Sequence, residues 1–94
     1  MLSLMKFFEK RTKEFAVRVL KLLADVPYNA CTKILSYQLG KSATSVGANF
    51  RAFCRGRSKN EKFTKICIVV EEADESVYWI DLLWRFKRIE MAFR

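Results

Sequence analysis

Phe63-Thr64-Lys65-Ile66-Cys67-Ile68-Val69-Val70-Glu71-Glu72-Ala73-Asp74-Glu75-Ser76-Val77-Tyr78-Trp79-Ile80-Asp81-Leu82-Leu83-Trp84 is the stretch that decides the fold. Within it Phe63, Ile66, Val70, Ala73, Val77, Ile80 and Trp84 recur in alternating steps of three and four, the period of an α-helix and of the seam of a helical bundle. Just upstream, Arg55-Gly56-Arg57-Ser58-Lys59-Asn60-Glu61 reads as a break. Gly56 caps the preceding helix, and Ser58 with Glu61 has the spacing of a capping box that opens the next. Downstream, Arg85 to Arg94 stays compatible with helix.

Ahead of the break, a second helix is predicted from near Tyr28 or Asn29 to about Arg55, with Leu35, Leu39, Val46, Phe50 and Phe53 as its apolar stripe. Gly40, Ala43, Gly47, Ala48 and Ala52 also stand on its turns. An interior glycine costs a helix about 1 kcal/mol relative to alanine, so these small residues predict close approach of a neighbouring helix. Beside the apolar stripe runs a polar one, Gln38, Ser42, Ser45 and Asn49, whose members share one face and need partners so near a core. A first helix is predicted from about Lys6 to Asp25. Phe8, Phe15, Val19, Leu22 and Val26 form its apolar face, Lys6, Lys10, Arg11, Lys13, Arg18 and Lys21 cover its other sides, and Pro27 ends it. Folding the second and third helices back on each other places Ser45 opposite Val70 and Ser42 opposite Ala73, with Glu72 in reach of the serines.

The whole reads as all-α: residues 1–94 form one domain, an up-and-down antiparallel bundle of three long helices. A 94-residue chain has a marginal core of its own, which predicts association with further copies. The chain contains no histidine, which removes the Ser-His-Asp and Cys-His machineries, most zinc centres and the Glu-x-x-His pairs of di-iron bundles. Cys31, Cys54 and Cys67 are odd in number and lack C-x-x-C spacing, which predicts small buried thiols in a reduced, cytoplasmic protein. The longest uncharged run, Ser42 to Phe50, is too short to cross a membrane.

Eighteen Lys and Arg against ten Asp and Glu give a net charge of +8, which suits a polyanionic partner. Six of the cations, Arg51, Arg55, Arg57, Lys59, Lys62 and Lys65, surround the break between the second and third helices with Glu61 as the one opposing charge. They are the candidate contacts to RNA or DNA backbone, a sequence-independent interaction that weakens with salt. Glu71, Glu72, Asp74, Glu75 and Asp81 form an acidic stretch with no second ligand set, so they predict charge pairing with other helices or subunits rather than catalysis or metal binding. Tyr78, Trp79, Trp84 and Phe86 are spaced as packing residues of a helix. No cofactor, metal or enzymatic activity is expected. The competing expectation is an adaptor whose charge serves an acidic protein instead of nucleic acid.

Two runs carry a family likeness. Gln38-Leu39-Gly40-Lys41-Ser42-Ala43-Thr44-Ser45-Val46-Gly47-Ala48-Asn49-Phe50-Arg51-Ala52, then Arg57-Ser58-Lys59 and Glu71-Glu72-Ala73-Asp74-Glu75-Ser76-Val77-Tyr78-Trp79-Ile80, resemble the bacterial four-helix-bundle proteins first noticed in intervening sequences of 23S ribosomal RNA genes. The likeness spans about Phe15 to Leu83. It implies an up-and-down bundle and a basic homo-oligomeric ring, usually a pentamer, without an established biochemical activity. More distantly the chain resembles the accessory protein of diversity-generating retroelements, a basic barrel that engages a reverse transcriptase and nucleic acid. Members of the family carry a fourth helix after the equivalent of Leu82-Leu83, for which the residues up to Arg94 are too few. The expectation is apolar surface left open where that helix would lie.

Overall fold

The computed structural model describes the backbone of residues 2–93 and the side chains of residues 3–93. Three helices account for nearly all of it: α1 (Leu2–Ala24), α2 (Ala30–Cys54) and α3 (Lys59–Ala92). They run up, down and up in a body of 53 × 21 × 16 Å. Both ends of α2 are set by local chemistry. Asn29 Oδ1 accepts from the amides of Cys31 and Thr32, each at 2.9 Å, while Thr32 Oγ1 accepts from the Asn29 amide at 2.9 Å and donates to the Pro27 carbonyl at 2.7 Å. This reciprocal cap satisfies orphan donors of the first turn and ties it to the proline that follows α1. At the other end Arg55 is the cap residue and Gly56 follows it. Gly56 does not adopt a positive φ. Its requirement is space, because an added Cβ would lie 2.6 Å from Lys62 Cγ and 3.3 Å from the Phe53 carbonyl oxygen. Ser58 then opens α3 by accepting from the Glu61 amide at 3.0 Å.

The middle helix carries the core. Leu35, Leu39, Ala43, Val46 and Phe50 are buried along it, joined by Val19 from α1 and Leu83 from α3. Both outer helices pack on α2, while their own backbones stay more than 8 Å apart at the Cα atoms. The small residues work as expected on the α1 side. An added Cβ at Gly47 would touch the Thr12 carbonyl oxygen at 3.4 Å, and one at Gly40 would touch Leu23 Cδ1 at 3.5 Å.

The face that α3 turns to α2 differs from the predicted seam. Phe63, Val70, Val77 and Trp84 are between 59% and 69% exposed, whereas Ser76 and Leu83 are buried and Ala73 and Ile80 lie half-buried between the two faces. A serine wins the contact because it meets another: Ser76 Oγ and Ser42 Oγ, both buried, share a hydrogen bond at 2.9 Å. The register therefore sits one turn from the expected one, with Ser42 opposite Ser76 instead of Ala73. On α1, Val19 is buried and Phe15 and Val26 are half-buried as expected, but Phe8 and Leu22 are exposed. Among the cysteines Cys31 is exposed and Cys54 and Cys67 are half-buried, so none is the fully buried thiol that was expected, and all three are free. Cys31 lies in the first turn of α2.

Candidate nucleic-acid interface

Helix register decides where the cations gather. Lys6, Lys10 and Lys13 stand four and three residues apart on α1, and Arg51 and Arg55 stand four apart on α2. Because the helices are antiparallel and Gly47 lets α2 approach Thr12, the first half of α1 lies beside the last half of α2. The five cations then rim one groove of about 580 Å³, whose floor is made of Ala16, Thr44, Gly47 and Ala48. Glu9 is the single carboxylate at its edge, and it is bound to Arg55, with Nη1 at 3.1 Å from Oε1. From Lys6 to Lys13 the α1 rim extends for about 10 Å, the run of roughly three phosphates along one duplex strand.

The six cations predicted at the break are not gathered into one patch. Arg51 and Arg55 line the groove. Arg57 and Lys59 are exposed at the turn beside its end, while Lys62 and Lys65 are half-buried on the first turns of α3. Lys62 places its ammonium 5.4 Å from the centre of the Phe53 ring, an arrangement that holds the charge against α2. Sequence reading missed Lys6, Lys10 and Lys13 as site residues and assigned them to an ordinary solvated helix face. The signal that finds them is the small-residue run Thr44, Gly47 and Ala48, which requires a helix close by and leaves a shallow floor between two basic edges. Cys54 lies near this end, where burial pushes its thiol up from the ordinary range, the Glu9 carboxylate adds to the rise, and Lys62 and Arg55 oppose it.

The polar stripe is structural in its contacts. Ser42 is buried and its hydroxyl lies 3.3 Å from the Leu39 carbonyl. Asn49 Nδ2 donates to both the Ser45 carbonyl and Ser45 Oγ at 2.9 Å, and Gln38 is half-buried on the same side. Among the described hydrogen bonds Glu72 joins neither Ser42 nor Ser45: its carbonyl oxygen accepts from Ser76 Oγ at 2.8 Å. The predicted role for the Glu72 carboxylate is therefore corrected. Ser76, one turn on, occupies the place facing Ser42. Among the described residues no cluster of three or more His, Cys, Asp or Glu is arranged to hold a metal, and no helix is long and apolar enough to cross a membrane. What the groove offers is charge without a reactive centre. Arginine forks and lysine ammonium groups on two parallel edges can grip the phosphates of an extended polyanion, and a floor of small residues admits it closely.

Neither a protein-family model nor a curated protein matches the chain. Among solved structures, it is similar to a protein of unknown function from the S23 ribosomal protein family of Bacteroides thetaiotaomicron VPI-5482, whose crystal structure was determined at 1.70 Å. The two are 31% identical and superpose with a TM-score of 0.81 over 89% of this chain and 75% of that one. Identity at that level, over helices that superpose along nearly their full length, joins sequence and fold: the chain belongs to the S23 ribosomal protein family.

Proposed function

We propose that the chain is a non-enzymatic, self-associating helical scaffold of the cytoplasm that binds RNA or DNA backbone through the basic groove between α1 and α2. The observation that carries this reading is the convergence of Lys6, Lys10, Lys13, Arg51 and Arg55 on one groove whose only carboxylate is already engaged by Arg55. Arg57 and Lys59 extend the same positive edge around the turn, and Lys62 and Lys65 add charge behind it. The more distant likeness to the accessory protein of diversity-generating retroelements supports a nucleic-acid role.

The test is binding of a mixed-sequence RNA pool at two salt concentrations. Binding that falls steeply with salt, with a log–log slope reduced by about one for each cation removed, is the expected result. Lys10→Glu with Lys13→Glu should weaken it as strongly as Arg55→Glu with Arg57→Glu, which separates a groove from a turn. Indifference to RNA at physiological salt would overturn the reading in favour of an adaptor for an acidic protein.

A further inference from the structure

The α2 side of the basic groove does not stop where the groove does. Arg55, Arg51, Ala48, Thr44, Lys41 and Tyr37 follow one another in alternating steps of four and three, and all six are exposed. The first four line the groove. At about 100° per residue the six fall within a sector of about 80° of the helix surface, so Lys41 and Tyr37 carry the same line on toward the start of α2. On α1 the facing line of Lys6, Lys10 and Lys13 continues in the same steps as Val17 and Leu20, both exposed and uncharged.

Tyr37 is a flat ring standing on that line. It is 64% exposed, and the Lys41 ammonium lies 6.0 Å from the centre of its ring, which places a cation beside the aromatic face. Other exposed aromatic residues border other surfaces: Phe7 and Phe8 line the groove between α1 and α3, Trp84 lines the hollow beyond it, and Tyr78 meets Trp79 edge to face. The surroundings of Tyr37 are also poor in negative charge. The 25 residues of α2 include no Asp or Glu. Asp25, two residues past the Leu23 side chain that faces Gly40, lines the hollow on the α1–α3 side instead. From Arg55 to Tyr37 the line runs about 27 Å at 1.5 Å per residue. That is the length of roughly eight nucleotides at the duplex rise of about 3.4 Å, and of fewer in a strand drawn out.

Resting on the reading of the groove as a grip for phosphates, we propose that its ligand is single-stranded nucleic acid and that Tyr37 is the platform on which an unpaired base stacks. A paired base lies inside the duplex with both faces covered by its neighbours, so a duplex brings only backbone to the α2 line and no ring face to Tyr37. An unpaired strand turns its bases out, and because every base has a π-face, stacking on a tyrosine requires no particular sequence. The groove itself is lined by no aromatic residue. Phosphate grip and stacking are therefore separated along one line, with Arg51 and Arg55 at one end, Lys41 between, and the ring at the other. Val17 and Leu20, on the facing helix, offer an apolar wall to sugars and base edges where a carboxylate would repel the strand. Carboxylates of an acidic protein would match the cations and leave the ring without a partner.

The experiment measures binding to the full chain of a mixed-sequence single strand of about ten nucleotides, as RNA and as DNA, at two salt concentrations. Two further probes are the same strand built of abasic sugar-phosphate units and its duplex. Tyr37→Ser should weaken the base-bearing single strands by about 5- to 100-fold at an unchanged log–log salt slope, and should leave the abasic strand and the duplex as they were. Tyr37→Phe should keep the native affinity, because the ring and not the hydroxyl stacks. Lys13→Glu with Arg51→Glu, by contrast, should weaken every probe and lower the slope. Circular dichroism confirms that each variant remains helical. No change on Tyr37→Ser, an equal loss with the abasic strand, or a loss as large on Tyr37→Phe would overturn the stacking platform while leaving the groove in place. Indifference of the native chain to all the probes would overturn the groove and the platform together.

Discussion

The two sides of α1 differ in how they meet the rest of the chain. Toward α2, Val19 is buried, a Cβ added at Gly47 or Gly40 would already stand within 3.5 Å of α1, and the Arg55–Glu9 pair closes one end. Toward α3, residues of the same size and polarity, Phe8 and Leu22 among them, face an open groove. Apolar content does not distinguish these sides. Small residues do: Gly47 and Gly40 stand opposite α1 and let it settle closely on α2. The contrast teaches that α2 is the organising helix and that α1 and α3 leave an apolar face open between them.

Four substitutions would break or sharpen that contrast. The largest effect is expected at Leu39, which is fully buried where the three helices meet. Leu39→Ala should cost about 2–5 kcal/mol, enough to unfold much of a domain this small, as read by chemical denaturation. Gly47→Leu should come next, at about 1–3 kcal/mol, because the added side chain must pass the Thr12 carbonyl and push α1 off α2. Its counterpart on the open side, Val77→Ser, should leave the melting of the chain within about 0.5 kcal/mol, because Val77 is exposed. Equal losses at Gly47 and Val77 would erase the distinction between the faces. Asn29→Ala should cost about 1 kcal/mol, since it removes the acceptor for two amides at the start of α2.

The smallest effect is chemical. A thiol-alkylating reagent should modify exposed Cys31 before Cys54, whose thiolate is disfavoured first by burial and then by Glu9. The same shift has a consequence for stability. A thiol raised in the folded state favours folding below its unfolded range, and that contribution is lost as pH rises through the folded value. Alkylation rates measured on single-cysteine variants across alkaline pH would show the order, and Cys54 reacting first would contradict it.

Local signals were legible in the sequence and relative placement was not. Asn29, Pro27, Ser58 and Gly56 act within a few residues of their own position, so the helix boundaries could be read closely. The stripe of α2 was also legible, because its large and small residues alternate around a helix with neighbours on two sides. Helix α3 was harder. Val69, Ala73, Ile80 and Leu83 offer one apolar face and Phe63, Val70, Val77 and Trp84 another, and periodicity ranks the second higher. The choice is made by Ser76 meeting Ser42, a contact between two polar residues that hydrophobic spacing does not register. The groove was hidden for a related reason: Lys6, Lys10 and Lys13 become neighbours of Arg51 and Arg55 only once α1 is docked.

The position of α1 in the chain has a consequence during synthesis. It is made before its packing partner α2, whose 25 residues begin only after Pro27 and Asn29. At about 5–20 residues per second, α1 waits some one to five seconds for α2 to be completed, with Val19, buried in the fold, unshielded throughout. An emerging helix that is basic on one side and apolar on the other is a target for nascent-chain chaperones until α2 covers it.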